Sequence, residues 1–280
     1  TVRFVNLRPD DCTLDLSELR EMLSDKTRLV AVGCASNASG GINPVQDICR
    51  WAHEVGALVF LDAVHYAPHR LIDVPAWDCD FLACSTYKFF GPHLGVCWGR
   101  RALLEELTAY KVKPADNQLP DKWMTGTQNH EGIAGGLAAV NYLADLGCQL
   151  KGEDSLPRRE ALRVVFEAIE TYEHELIRQL LEGLKAIPQI KVWGIDDVDR
   201  LDERVPTVSL THENFTSAEL AERLGQDGIF AWHGNYYALE FTESLGLEPD
   251  GMLRIGLVHY NTAEEVTRLL KCLADYSTGA

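Results

Sequence analysis

The stretch from 80 to 95, DFLACSTYKFFGPHLG, places one lysine, Lys88, after an apolar run and before two phenylalanines and a glycine-proline turn. A primary amine in that setting supports two readings. Either its stem lies along Phe89 or Phe90 with the ammonium in water, or it is held at a strand end as a nucleophile that condenses with a carbonyl. Two other residue types bear on the choice. Asp62 ends the apolar run ALVFLDA, and Ser85 lies three residues before the lysine. A carboxylate closing an otherwise apolar strand needs a partner. Arg254, inside MLRIGLV, is a cation in the middle of a strand-like run, which favours an anionic ligand.

The elements that must position these residues are readable. RLVAVGCAS is a short β-branched run. It leads through SNASGG to Asn43 as cap and Pro44 at the first helical position of VQDICRWAHEVG, with apolar residues at Val45, Ile48, Trp51 and Ala52. ALVFLDA follows, so residues 28 to 63 read strand, helix, strand, a unit that implies a parallel sheet. FLACS and GVCWG read as two more strands flanking Lys88. Ligands of open α/β sheets lie beyond the carboxyl ends of the strands. That rule is expected to bring together SNASGG, Asp62 with His65, and Ser85 to Lys88. Charge and a proline interrupt the pattern near 145 to 160. A long helix is expected from Arg159, followed by shorter elements: IKVWG, VPTVSL, a helix opened by the capping box TSAE, GIFAW, MLRIGLV and a last helix opened by TAEE.

Composition narrows the functional classes. The 280 residues carry 46% hydrophobic content and a formal net charge of -16, with 26 basic residues in no long run, which opposes nucleic acid and anionic lipid as partners. No stretch approaches the roughly 20 apolar residues of a membrane span, and the first residues lack a signal-peptide pattern; a soluble, cytoplasmic chain is expected. The eight cysteines contain no CxxC pair, which argues against structural zinc and a disulfide framework. No metal ligand set is assigned, and no GxGxxG or GxxxxGK[ST] follows a strand.

An amine, a carboxylate and small hydroxyl donors at neighbouring strand ends match the needs of pyridoxal 5'-phosphate: an imine partner for its aldehyde, a carboxylate that keeps its ring nitrogen protonated, and hydrogen-bond donors for its phosphate. LVAVGCASNASGGINPVQDI, LDAVHYAPHRLIDVPAWDCDFLACSTYKFFGPHLGV, MTGTQNHEGIAG and MLRIGLVHYNTAEEV resemble class V aminotransferases of fold type I, in their cysteine-desulfurase-like branch. The resemblance implies an α/β fold with a mostly parallel sheet. It divides the chain into a cofactor-binding large domain over 1 to 158 and a connecting helix with a smaller C-terminal α/β domain over 159 to 280.

It also implies roles. Lys88 forms the imine and shuttles the α-proton, Asp62 pairs with the pyridinium nitrogen, and His65 and Asn37 approach the cofactor's phenolic oxygen. Ser85 and Tyr87 hold the phosphate, Thr127 in GTQN reaches the phosphate of a neighbouring subunit in a homodimer, and Arg254 clamps a substrate carboxylate. Each residue also has an ordinary structural reading: Asp62 capping a turn, His69 taking the place of His65, Asn37 and Ser85 as loop polar residues, Tyr87 packed in a core, Thr127 capping a helix.

Two departures from the family pattern matter. The region before Arg254 reads AWHGNYYALEFTESLGLEPDGMLR, with Tyr237 where desulfurases carry a nucleophilic cysteine. A phenol with an ordinary pKa of about 10 is a poor sulfur acceptor, which leaves transamination, β-elimination, C–S lysis or epimerisation of a small amino acid. The chain also reads as lacking the family's N-terminal portion, so an exposed sheet edge or apolar face is expected. From another class, the competing function is a non-catalytic fragment, or a dimerisation or binding protein, that retains the fold.

Overall fold

In the computed structural model, which describes residues 1–278, the chain divides into two compact units that interleave in sequence. One comprises 23–34 and 44–165; the other comprises 1–22, 35–43 and 166 onward. The later boundary falls inside a long helix, and two short N-terminal stretches group with the C-terminal unit.

The first of these units is built on strands β1 (Leu29–Gly33), β2 (Leu58–Asp62), β3 (Phe81–Ser85) and β4 (Gly95–Gly99), in the order β1-β2-β3-β4. β1, β2 and β3 run parallel and β4 is antiparallel to β3. Helix α1 (Leu16–Met22) belongs to the other unit, whereas α2 (Val45–Glu54) crosses from β1 to β2 as the strand-helix-strand pattern requires. Val45, Cys49 and Ala52 on its inner face pack with Val59, Leu61 and Leu82 of the sheet. Residues alternate in facing along a strand. The buried set therefore leaves Phe60, Asp62, Phe81 and Ser85 on the opposite face, with the rings of Phe60 and Phe81 stacked at 6.1 Å.

The start of α2 differs from the sequence expectation. Pro44 occupies the cap position rather than the first helical one, because its ψ of 70° is not helical, and no side chain caps the helix. Short helices α3 (Val74–Trp77), capped by Asp73, and α4 (Arg101–Glu106) follow, then α5 (His130–Lys151), whose cap is Asn129 accepting from the Gly132 N–H at 2.9 Å. β4 is a sheet edge, with Val96 42% and Trp98 38% exposed.

Helix α6 (Arg158–Lys185) leads into the second unit's sheet of β5 (Ile190–Trp193), β6 (Thr207–His212), β7 (Trp232–Gly234) and β8 (Met252–Gly256), ordered β5-β6-β8-β7 and antiparallel throughout. β7 is shorter than GIFAW suggests: pairing with β8 begins only at Trp232, and Phe230 is 93% exposed. Helices α7 (Ser217–Gln226), α8 (Leu239–Ser244) and α9 (Ala263–Thr278) complete this unit. The TSAE stretch forms the expected reciprocal cap between Thr216 and Glu219, and Thr262 with Glu265 forms a similar pair before α9.

The main core of the unit joins Leu176, Ile177, Leu180 and Leu184 of α6 to Val208, Leu210, Leu253 and Ile255 of the sheet and to α7 and α9. A smaller apolar cluster contains Cys12, Ala38, Tyr236, Phe241 and Met252. Among the described residues, no helix is long and apolar enough to cross a membrane.

Candidate active site

Lys88 lies on a 3-10 turn, Thr86–Phe89, directly after β3. The turn is held from inside by Thr86, which is buried. Its N–H donates to the Leu94 carbonyl at 2.9 Å, and its own carbonyl accepts from the Gly91 N–H at 2.8 Å. Phe90 closes the turn in the left-handed region at φ 70°. A β-carbon on Gly91 would stand 2.9 Å from that of Thr86, so glycine is needed for this close approach. Gly136 of α5 lets the Thr86 methyl pack at 3.2 Å from where its β-carbon would be. The sequence thus fixes the backbone beneath Lys88 while leaving its side chain exposed. The ammonium sits over the Tyr87 ring at 5.3 Å, and that ring stacks on His93 at 5.0 Å.

Asp62 stands at the carboxyl end of β2, one strand over, and is exposed. One carboxylate oxygen accepts from the Val64 N–H at 2.8 Å, which orients it, and the Asp62 carbonyl accepts from the Cys34 N–H at 2.7 Å. Register pairs Asp62 with Ala83, so Asp62 and Ser85 lie on the same face of the sheet at adjacent carboxyl ends. His65 follows in the turn after β2, half-buried, with its ring edge-on to His69 at 5.8 Å. The two histidines are distinguished by environment: His69 is 4% exposed and its pKa is driven down to about 3 by burial and then by the neighbouring Arg70. A neutral buried imidazole of that kind is a core residue. Thr127 is exposed in the loop before α5, where Asn129 and not the threonine is the helix cap.

Asn37 and Arg254 belong to the other unit and meet there. Arg254 is in the middle of β8, opposite Ser209 of β6 and Trp232 of β7. One Nη donates to the Asn37 carbonyl at 2.9 Å, and the guanidinium carbon lies 4.4 Å from the centroid of the Tyr236 ring. Among the described residues no carboxylate pairs with Arg254, whereas Arg200 of the same unit holds Asp11 and Glu203. Burial lowers its pKa, opposed by Tyr236. This half-buried guanidinium, with no acidic partner among the described residues, keeps N–H donors beyond the one given to Asn37.

Tyr236 is the residue that sequence reasoning passed over. NYYAL offers two adjacent tyrosines, and nothing in their order tells which one turns inward. Tyr236 is 6% exposed and Tyr237 102%.

Several cysteines are poor thiolate sources. Burial raises the Cys12 thiol to about 11 and Cys34 and Cys49 to about 12, and partial desolvation also raises Cys97.

Comparison with known proteins gives these residues a context. The family model for aminotransferase class V matches residues 1–156 and 158–269. An aminotransferase-like protein, FGM3, of Gibberella zeae is 37% identical over 93% of this chain, and a probable cysteine desulfurase of Xylella fastidiosa is 31% identical over 93%. The apo structure of a cysteine desulfurase from Thermococcus onnurineus superposes with a TM-score of 0.83 at 25% identity, covering 99% of this chain. This chain spans 62%, 60% and 66% of those three proteins in turn.

Class V aminotransferases and cysteine desulfurases depend on pyridoxal phosphate, and their structures share the fold-type-I α/β architecture with a parallel sheet found here. The residues present fit that cofactor chemically. A locked turn presents an exposed amine, the adjacent strand end presents an oriented carboxylate, and a hydroxyl lies between them in sequence and on the carboxylate's face. With the family model matching nearly the whole length, this chain belongs to the class-V aminotransferases.

Proposed function

We propose that the chain acts on a small amino acid through pyridoxal phosphate held by Lys88, in a reaction that needs proton transfer and carboxylate binding but no thiol nucleophile. The cofactor, when bound, supplies an electron sink for negative charge developing at the substrate's α-carbon. In this reading Lys88 provides the covalent attachment and moves the α-proton. Asp62 holds the ring nitrogen's proton, Ser85, Tyr87 and Thr127 donate to the phosphate, and His65 and Asn37 serve the ring's phenolic side. Arg254 receives the substrate carboxylate on the donors that the Asn37 carbonyl leaves over. Transamination, β-elimination, C–S lysis and epimerisation all fit these groups. Tyr237, a fully exposed phenol at the place of the family's loop cysteine, and the raised thiols elsewhere argue against persulfide formation. A homodimer that shares Thr127 across subunits belongs to the same reading.

The observation that carries the proposal is Arg254, a half-buried cation held by a carbonyl and an aromatic face. The deciding experiment loads the protein with cofactor and follows its visible spectrum, pyruvate, ammonia and sulfide across a panel of amino acids. Spectral change with α-amino acids but not with the corresponding decarboxylated amines is the expected result. No response to any amino acid would sink the proposal.

A non-catalytic binding role is favoured by one observation, the β4 edge with its exposed Val96 and Trp98. That reading expects a protein that stays colourless when cofactor is added.

A further inference from the structure

We infer that Tyr236 is a positioning residue that fixes the direction in which Arg254 presents its guanidinium to a carboxylate; the inference rests on the reading of Arg254 just given. The loop NYY places two successive residues in the left-handed region, Tyr236 at φ 55° and Tyr237 at φ 63°. Side chains with a β-carbon pay for that conformation, and two in a row persist only where surrounding contacts hold them. Asn235 supplies one such contact, its side-chain oxygen accepting from the Tyr237 N–H at 3.2 Å. The consequence is a split: one ring turns inward beneath the arginine and the next turns fully outward.

The inward ring is fixed at both ends. Its hydroxyl donates to the Met252 carbonyl on the same strand as Arg254, and burial raises its pKa well above the usual phenol value, so it stays a neutral donor. Its backbone carbonyl accepts from the Asn37 side-chain amide at 3.0 Å, while the Asn37 carbonyl accepts from Arg254 at 2.9 Å. Ring face, amide and guanidinium thus form a closed cycle, Arg254 to Asn37 to Tyr236 and back through the 4.4 Å cation–ring contact.

A guanidinium held 4.4 Å over a ring centroid is hindered from turning about its Nε–Cζ bond, and the contact is worth most where water is partly excluded. One donor is committed to Asn37. Four N–H groups remain in the guanidinium plane, and two parallel ones among them are the pattern that takes a planar carboxylate in two bonds. A tyrosine that only filled the apolar cluster around Cys12 and Phe241 would leave this orientation unaffected.

The test uses two amine probes that bleach the cofactor's visible absorbance by the same chemistry. Aminooxyacetate carries a carboxylate and methoxyamine does not, so methoxyamine gives the reference rate for each variant. Wild type is expected to prefer aminooxyacetate, Tyr236→Phe to keep that preference, Tyr236→Leu to lose about tenfold of it, and Arg254→Ala to lose it all. A cofactor-free readout accompanies this: nitrogen-15 spectra in which the Arg254 Nη signals are separately resolved in wild type and Tyr236→Phe and averaged in Tyr236→Leu.

If Tyr236→Leu keeps the preference that Arg254→Ala abolishes, Tyr236 is mere packing and the inference fails while the reading of Arg254 stands. If Arg254→Ala keeps the preference, that reading fails and takes the inference with it. Averaged Nη signals in folded wild-type protein overturn the inference by themselves, whatever the variants do.

Discussion

At the scale of single residues, the arrangement separates groups that carry chemistry from groups that hold them. Lys88 is exposed on a turn whose rigidity comes from Thr86 and Gly91, so replacing the amine should leave the fold intact. Lys88→Ala is expected to lose covalent retention of cofactor. After borohydride reduction and denaturation, colour should remain with the wild-type chain and leave the variant, by absorbance of the desalted protein. Arg254→Lys keeps the charge but loses the fork, and the strand interior gives the ammonium no carboxylate partner among the described residues. Hydrogen bonds to charged groups contribute about 1.5–3 kcal/mol, so the amino-acid concentration for half-maximal spectral change should rise by roughly 10–100-fold. An unchanged midpoint would remove Arg254 from substrate binding.

At the scale of elements, the turns matter more than the strands they follow. Gly251, at φ 62°, precedes β8 and approaches the Gly234 backbone so closely that an added β-carbon would stand 2.3 Å from it. Backbone cannot step aside as a flexible side chain can. Gly251→Ala combines overpacking with left-handed strain and should cost about 2–4 kcal/mol by urea denaturation, weakening the strand that carries Arg254. The cap of α7 offers a milder case. Thr216→Ala removes the hydroxyl that accepts from the Glu219 N–H at 3.2 Å. It should lower stability by about 1 kcal/mol, with no change in the position of Arg254, which lies on a different element.

At the scale of the whole molecule, the pH dependence of folding has a buried contributor. His69 has a folded pKa of about 3, below its ordinary value of 6.5, because burial excludes the charged form. The unfolded chain therefore binds the proton first, and the contribution is fully present above pH 6.5. It declines as pH falls toward 3, by up to about 1.4 kcal/mol per pH unit in the steepest part. Urea midpoints measured between pH 7 and pH 4.5 should fall, and His69→Phe should flatten that slope even if it lowers the midpoint overall. An identical slope in the variant would assign the acid sensitivity to other groups.

Much of this was legible in the linear chain because it depends on local pattern. The strand-helix-strand unit from 28 to 63, the long helix from about 159 and the TSAE cap follow from periodicity and capping chemistry. The positions of Asp62, Ser85 and Lys88 at strand ends follow from where apolar runs stop. The amino-acid order alone determined which groups are available: one amine after β3, one carboxylate after β2, one arginine inside β8, and two adjacent tyrosines in the segment before it.

Tertiary structure decided what each group faces. It paired Asp62 with Ala83 so that the carboxylate and Ser85 share a face. It buried His69 rather than His65, and sent Tyr236 under the guanidinium while Tyr237 went out to solvent. It also grouped residues 35–43 with the C-terminal unit, where Asn37 meets Arg254 across 217 positions of sequence. Such pairings arise from register and backbone twist between distant segments, and no window of neighbouring residues contains them.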